Sequence, residues 1–262
     1  MSEPIFSLIF VNYRSFDRLA IAIQSWERAF GQMSVEFIVV NNDEKEKSSL
    51  DMLSQKKIVQ LYHLEENVGF GKACNIGASK ARGKFLFFLN PDTEYVAGFV
   101  TTLQTFLETR PHSIGGVRLV DELSQNEAWS SGRFPTIWRM LDKRIFGFPR
   151  RPFWRRTIFS YPDWVSGAAL IIQKDFFKIL GGFDEQFFLY FEDVDLCQRA
   201  KALGGTVWRT PFFVVKHQGG ASHTRLRDQK KAYYLSQCYY FLKHRPMWEA
   251  CIVRFLHKVI SY

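Results

Sequence analysis

Three short apolar runs constrain this chain more than any other feature: IFSLIFV (Ile5 to Val11), VEFIVV (Val35 to Val40) and FLFFL (Phe85 to Leu89). None alternates regularly with polar residues, so each predicts a strand covered on both faces, as in a parallel sheet held between helix layers. The intervening stretches predict those helices: Phe16 to Phe30, a polar segment near Lys45 to Gln55, and Ala73 to Ala81, ended by Arg82-Gly83. Strands alternating with helices imply right-handed crossovers and an α/β architecture. With 262 residues, 47% of them hydrophobic, the chain can bury such a core.

The second half has another rhythm. Trp164 to Ile172 reads as a strand, Glu192 to Leu203 as a helix closed by Gly204-Gly205, and Thr206 to Arg209 and Phe212 to Lys216 as short strands. This is not βα repetition, so the expectation is a mixed, mainly parallel central sheet flanked by helices. The expected division is a domain over residues 1–222, with halves 1–110 and 111–222, followed by a basic helical extension over 223–262. Asp121 to Pro162, rich in Arg, Pro and aromatic residues, predicts a long loop with a short helix, the kind of segment that serves as a lid. In the extension, Gln229 to His244 and Met247 to Tyr262 read as helices separated by Pro246. Trp248, Cys251, Ile252, Phe255, Leu256 and Val259 form a helical stripe with Arg254 and Lys258 off it, suited either to packing on the domain or to lying in a membrane interface.

Ile5 to Val11 is too short for a signal sequence and is followed by polar residues, which predicts a cytoplasmic chain. The apolar runs fall short of a membrane span. Cys74, Cys197, Cys238 and Cys251 lack metal-site or disulfide spacing, so reduced thiols are expected. The net charge of +9 is concentrated in two places. Arg133 to Arg156 holds eight basic residues against Asp142 alone, and Gln218 to Tyr262 holds eight against Asp228 and Glu249. Local basic surfaces on an otherwise mildly acidic body suit an anionic partner such as lipid head groups or phosphates.

Three motifs carry chemistry. FLFFLNPDT ends a buried strand in Asn90-Pro91-Asp92, presenting a carboxylate where open α/β sheets bind ligands. Such a carboxylate can bridge a hard cation to a diphosphate, or simply cap a turn. NVGFGKACNIGASKARG puts Gly69 and Gly71 at the start of a helix, where backbone can approach an anion closely. It is neither a P-loop nor a dinucleotide fingerprint. FFLYFEDVD sets Glu192, Asp193 and Asp195 against an aromatic run, an apolar wall that would raise a carboxyl pKa. Acids in a first helical turn also complement the helix dipole, for about 0.3 to 1 kcal/mol.

Taken in order, VNYR, VVNND, NVGFGKACNIG, FLNPDT, DWVSGAALII, GGFDEQFFLYFEDVDLCQRA and KHQGGAS resemble the GT-A-fold family 2 glycosyltransferases, in their rhamnosyltransferase-like branch. The resemblance covers about Ile5 to Ser222. It implies a Rossmann-like GT-A sheet and a site for a nucleotide-diphosphate sugar lined by Asn12, Tyr13, Asn41, Asn42, Asn67, Gly69, Phe70, Gly71, Asn75, Asn90, Asp92, Trp164 and Gly167. Asp43, Asp163 and Ser166 flank these positions. It further implies a divalent metal, Mg²⁺ or Mn²⁺, at Asp92 with His217 nearby. An Asp is usual where Asn41 stands, so selectivity for the donor base stays open.

The resemblance also implies inverting transfer, with Asp193 as general base, Glu192 orienting acceptor hydroxyls and Asp195 holding local structure. Asp184 reads equally as a turn residue or a sugar contact. The expected donor is dTDP-rhamnose. The expected acceptor is a lipid-linked saccharide in bacterial O-antigen or other lipopolysaccharide and polysaccharide biosynthesis, met by a peripheral protein at the cytoplasmic face of the inner membrane. A UDP-hexose or UDP-N-acetylhexosamine transferase of the same fold is the alternative. A nucleotidyltransferase would want a glycine-rich loop where VNYRSFDR stands. Stacking and phosphate contacts by RIFGFPRRPFWRR would suit a basic nucleic-acid-binding protein, but that leaves the clustered carboxylates unexplained.

Overall fold

The structure, a computed structural model, describes residues 3–51, 53, 56, 58–127, 130–140, 157–219 and 226–260. The stretch RIFGFPRRPFWRR, within the expected lid, lies outside the described residues, as do residues 261–262, where the last helix was expected to end.

The three apolar runs become β1 (Phe6–Asn12), β2 (Val35–Asn41) and β4 (Phe85–Leu89). With β3 (Val59–His63) they form a parallel ladder ordered 3-2-1-4, connected through α1 (Phe16–Phe30), the short α2 (Lys47–Asp51) and α3 (Phe70–Lys80). Beyond β4 come β5 (Thr93–Ala97), α4 (Val100–Glu108) and β6 (Ser113–Val120). The run expected as one strand from Trp164 divides. Its first part, β8 (Trp164–Val165), pairs with β7 (Ser131–Gly132) in a separate ribbon, and its second, β9 (Ala169–Gln173), enters the main sheet antiparallel between β4 and β6. Helices α5 (Lys174–Ile179) and α6 (Glu192–Ala202) precede β10 (Thr206–His217), a single strand with a register irregularity between Arg209 and Val214 where two strands were expected. The complete sheet runs 3-2-1-4-9-6-10-5.

Alternate side chains divide the core by sheet face. Phe6, Leu8 and Phe10 with Phe85 and Phe87 pack beneath α1 and α4, while Ile9, Val11, Leu86 and Phe88 pack beneath α3, α5 and α6. That double covering is why the runs are continuously apolar.

A third cluster joins α7 (Leu226–His244) and α8 (Met247–Ile260) to the body through Ile137, Phe187, Phe191, Val194, Tyr240, Phe241, Ala250 and Val253. The α8 face turned inward is the small one, Ala250 and Val253, whereas Trp248, Cys251, Ile252 and Phe255 face outward. The helix thus packs on the body through its small residues and Leu256, while Trp248, Ile252 and Phe255 of the expected stripe lie on the other face.

Strand direction assembles the site. The carboxyl ends of β1, β2, β4 and β10 lie on one edge, at Asn12, Asn41, Leu89 and His217. The antiparallel strands β9 and β5 begin on that edge, with Ala169 beside Leu89 and Thr93 beside His217.

Candidate active site

Asp92 follows β4 by three residues and is 6% exposed. His217 at the end of β10 reaches it, with Nε2 3.3 Å from Asp92 Oδ1, and the Asn90 amide lies 3.1 Å from the same nitrogen. The other ring nitrogen, Nδ1, lies 2.9 Å from both carboxylate oxygens of Glu127. Burial disfavours charge on the imidazole, but Asp92 and Glu127 outweigh it and push its pKa up to about 10. Asp92 is held below its ordinary value: desolvation opposes ionisation, and the His217 hydrogen bond and charge, with Arg18 3.8 Å away, outweigh it.

A divalent cation fits this corner. A carboxylate and an imidazole converge, the cation would take the place of the proton that His217 Nε2 turns toward Asp92, and the far ring nitrogen is already anchored by a carboxylate, the usual support of a metal-bound histidine. Among the described residues no group of three His, Cys, Asp or Glu side chains forms a metal cage, so a cation here would complete its shell with diphosphate oxygens and water, as Mg²⁺ commonly does.

The start of α3 faces the same edge. Gly69 has φ of +88°, and a Cβ there would come within 2.6 Å of the Phe188 carbonyl oxygen, which accepts from Phe70 N at 2.8 Å. Any side chain at Gly69 would push the acid-bearing turn away. Asn42 spans the gap: Nδ2 donates to Asn67 Oδ1 at 2.8 Å and Oδ1 accepts from Val68 N at 3.0 Å. Asn12 donates to Asn41 Oδ1 at 3.2 Å and to Glu46 Oε2 at 2.7 Å, while Asn41 donates to the Asp43 carbonyl at 2.7 Å. Glu46 also accepts from Ser15 N and Phe16 N, capping α1 where Ser15 makes no side-chain cap of its own. Asn12 and Asn41 thus shape the floor from within. Tyr13, beneath the Arg14 guanidinium, is half-buried at its rim.

Asn75 is committed elsewhere in the same wall. Its Oδ1 accepts from Phe183 N at 2.8 Å and its Nδ2 donates to the Phe183 carbonyl at 2.9 Å, holding the chain that leads into the acids. Gly71 lets that chain close in, since a Cβ there would sit 3.2 Å from Phe183 Cβ and 3.6 Å from Glu192 Cβ.

The acid pair opens α6. Tyr190 and Phe191, immediately before it, both adopt left-handed backbone conformations, with φ of 69° and 68°. For residues with a Cβ this costs about 1–2 kcal/mol each, so the surrounding contacts must hold the turn. Asp193 Oδ2 accepts from Gly167 N at 2.8 Å and Oδ1 from Val194 N at 2.8 Å. A Cβ on Gly167 would lie 3.5 Å from Asp193 Cβ and 3.5 Å from Phe70 Cε1, so this glycine brings the sheet edge against both.

Glu192 is 5% exposed, and its Oε2 has no hydrogen-bond partner among the described residues. Burial, then the neighbouring Asp193 and Asp195 charges, push its pKa well up, whereas Asp193, also raised by burial, has two backbone N–H groups favouring its anion. Of the two, Glu192 is therefore the harder to ionise. Glu36 is the contrast. It is buried but accepts from Ser7 Oγ, Gln60 Nε2, Arg82 and Gly83 N, and despite desolvation its carboxyl is held low.

The other acids near this turn are held in ion pairs. Asp195, fully buried, pairs with His244, Lys243 and Arg199, which overcome desolvation and bring its pKa down to about 2. Asp184 accepts from Tyr239 Oη and Lys243. Asp163 binds Arg133, Lys201 and Phe134 N, and Trp164 donates to the Arg133 carbonyl at 3.1 Å, so both brace the β7–β8 ribbon behind Ser166 and Gly167.

Several residues at the site escape a reading of the sequence. Glu127 belongs to a segment expected as lid and meets His217 only through the fold. Arg18 stands in the VNYRSFDR stretch, but nothing local to it indicates that the first turn of α1 points its guanidinium toward Asp92.

Residues 7–174 match the family described as Glycosyl transferase family 2. The chain is 26% identical over 182 residues to Rhamnosyltransferase WbbL of Escherichia coli, covering 64% of this chain and 69% of that one. It is 25% identical over 218 residues to N-acetylglucosaminyl-diphospho-decaprenol L-rhamnosyltransferase of Mycobacterium tuberculosis, covering 73% and 70%. Its fold is similar to that of GalNAc-T7, solved with UDP, GalNAc and Mn²⁺, at a TM-score of 0.66 and 18% identity. That likeness covers 82% of this chain and 43% of the other, less than half its length. The chain belongs to glycosyl transferase family 2 and is a glycosyltransferase built on the GT-A fold, similar in sequence to rhamnosyltransferases of that family.

Proposed function

We propose that this protein transfers L-rhamnose, with inversion, from dTDP-rhamnose to a hydroxyl of a lipid-diphosphate-linked saccharide in bacterial cell-surface polysaccharide assembly. The observation that carries the chemistry is the unequal acid pair: Asp193 accepts from Gly167 N and Val194 N, which favour its anion, beside buried Glu192, whose Oε2 has no hydrogen-bond partner among the described residues. The donor and acceptor classes draw support from the relatives named as a rhamnosyltransferase and as a decaprenol-linked L-rhamnosyltransferase.

In this reading the acceptor oxygen attacks the anomeric carbon as its proton passes to the Asp193 carboxylate. The bond from that carbon to the diphosphate oxygen breaks, and its electron pair leaves with dTDP. Protonated Glu192 donates a hydrogen bond that orients the acceptor. Asp92 and His217 would hold a divalent cation, which when bound neutralises charge growing on the diphosphate. Arg18 adds a positive charge at the same corner.

The proposal is tested with purified protein and a synthetic GlcNAc-diphosphate-lipid, offering dTDP-rhamnose, UDP-glucose and UDP-N-acetylglucosamine in parallel. Rhamnose transfer supports the reading. Transfer from a UDP-sugar keeps the mechanism and replaces the donor.

We assign the catalytic unit to residues 1–222, and to 223–262 the added task of meeting the acceptor's membrane from the cytoplasmic side. Among the described residues no helix is long and apolar enough to cross a bilayer. The outward face of α8 instead presents Trp248, Ile252 and Phe255, 48%, 39% and 66% exposed, with Trp138 6.4 Å from the Trp248 ring. Exposed Arg254 and Lys258 lie beside them, and each basic residue near an anionic surface is worth about 1 kcal/mol. Replacing Trp248, Ile252 and Phe255 together by Ser is expected to abolish flotation with phosphatidylglycerol-containing vesicles while transfer to a detergent-dispersed acceptor continues. Undiminished flotation would contradict membrane contact through this face.

A further inference from the structure

We propose that Lys243 is a positioning residue for catalysis, stapling the acid-bearing turn closed from helix α7. The proposal rests on the reading that the turn bearing Glu192 and Asp193 carries the catalytic base. The turn runs from Asp184, at the end of the Asn75-held segment, to Asp195, inside α6. Lys243 Nζ lies 2.6 Å from Asp184 Oδ2 and 2.7 Å from Asp195 Oδ1, and among the described residues it is the one cation paired with both. Glu192 and Asp193 lie between those anchors.

The same helix grips the far end of the turn. Ser236 Oγ donates to the Leu189 carbonyl at 2.7 Å, Gln229 Nε2 donates to Tyr190 Oη at 2.9 Å, and the Tyr233 ring packs on Tyr190 and Phe191. Tyr190 and Phe191 are the two left-handed residues directly before the acids. A strained pair gripped at its crest and stapled at its base has its geometry set by α7, and with it the placing of Asp193 against Gly167. The corner of Asp92, His217 and Glu127 depends on β4, β10 and the segment after β6, so α7 governs the acid and not the metal corner.

Losing the staple should therefore slow the chemical step without weakening donor binding. Asp195 keeps Arg199 and His244, and Asp184 keeps Tyr239, so the variant retains partners for both carboxylates. In steady-state assays of the full chain, Lys243→Met is expected to lower kcat about 10- to 100-fold, the scale of a misplaced catalytic group, with donor KM and the Kd for dTDP within about twofold. Lys243→Arg, which keeps the charge, should recover most of the loss. Asp184→Asn cuts the same staple from its other end and should reproduce the kcat defect, which decides the matter if Lys243→Met fails to fold. Wild-type kcat in a folded Lys243→Met or Asp184→Asn variant, a matching rise in donor KM, or no recovery with Lys243→Arg would overturn the proposal. Asp193→Asn in the same assay separates the two inferences: if it keeps turnover while Lys243→Met loses it, the assignment of the base falls and the staple stands.

Discussion

Asp193→Asn is expected to lower kcat by about 10² to 10⁴-fold, the usual contribution of a general base, while binding nucleoside diphosphate as the wild type does. Asn preserves the shape, and its single amide oxygen can accept from one of Gly167 N and Val194 N, which Asp193 meets with separate oxygens, but it cannot take the acceptor's proton. The wild-type rate should rise with pH as Asp193 ionises, with a midpoint above the ordinary carboxylate range because burial raises its pKa. Linkage fixes the accompanying change in stability. Between the unfolded and the raised native pKa, the native chain binds the proton more tightly, so stability falls as pH rises through that window. The Asn variant lacks this titration, so its melting temperature should lose that part of the wild type's fall with pH. A folded Asp193→Asn protein with near-normal turnover would remove Asp193 as the base.

The second large effect is expected at the opposite corner. Asp92→Asn keeps the volume at the end of β4 but removes the carboxylate that faces His217 and Arg18. If a cation held there stabilises the departing diphosphate, kcat/KM should fall about 10³-fold, matching the several kcal/mol that such charge neutralisation supplies. Nucleotide affinity should also cease to respond to Mn²⁺. A variant that binds dTDP with unchanged affinity and the same Mn²⁺ response as wild type would place the metal elsewhere or make it dispensable.

How far the sequence could be read depended on what each element packs against. Strands β1, β2 and β4 were legible because both faces are buried, and α1 was legible to its ends because one face is apolar and polar residues dominate the other. Edge strands carry no such signal: β3 is mostly half-buried, and β5 closes the far side of the sheet with an exposed end. β6, SIGGVRLV, is a buried strand whose two glycines interrupt any apolar run, yet a Cβ on Gly115 would lie 2.3 Å from the Trp208 ring. The break between β8 and β9 was hidden within one apolar run, because the turn at Ser166 to Ala168 serves Asp193 rather than local propensity.

The site divides in the same way. Asp92, Asp193, Gly69 and His217 lie in motifs whose residue types state their chemistry, and the fold brings Asp92 to His217 and Asp193 to Gly167. Glu127, Ser236 and Lys243 act through distance in space, and no local pattern marks them. Asn41 and Asn75 carry the residue types of ligand contacts, and their amides hydrogen-bond backbone and neighbouring side chains, contacts that no local pattern announces.

The most direct test of a nucleotide-sugar transferase at this edge is calorimetric titration of the purified chain with dTDP, UDP and GDP, each with and without Mn²⁺. The account predicts Mn²⁺-dependent binding, tightest for dTDP and abolished by Asp92→Asn. Absence of binding to all three in the presence of Mn²⁺ would contradict it.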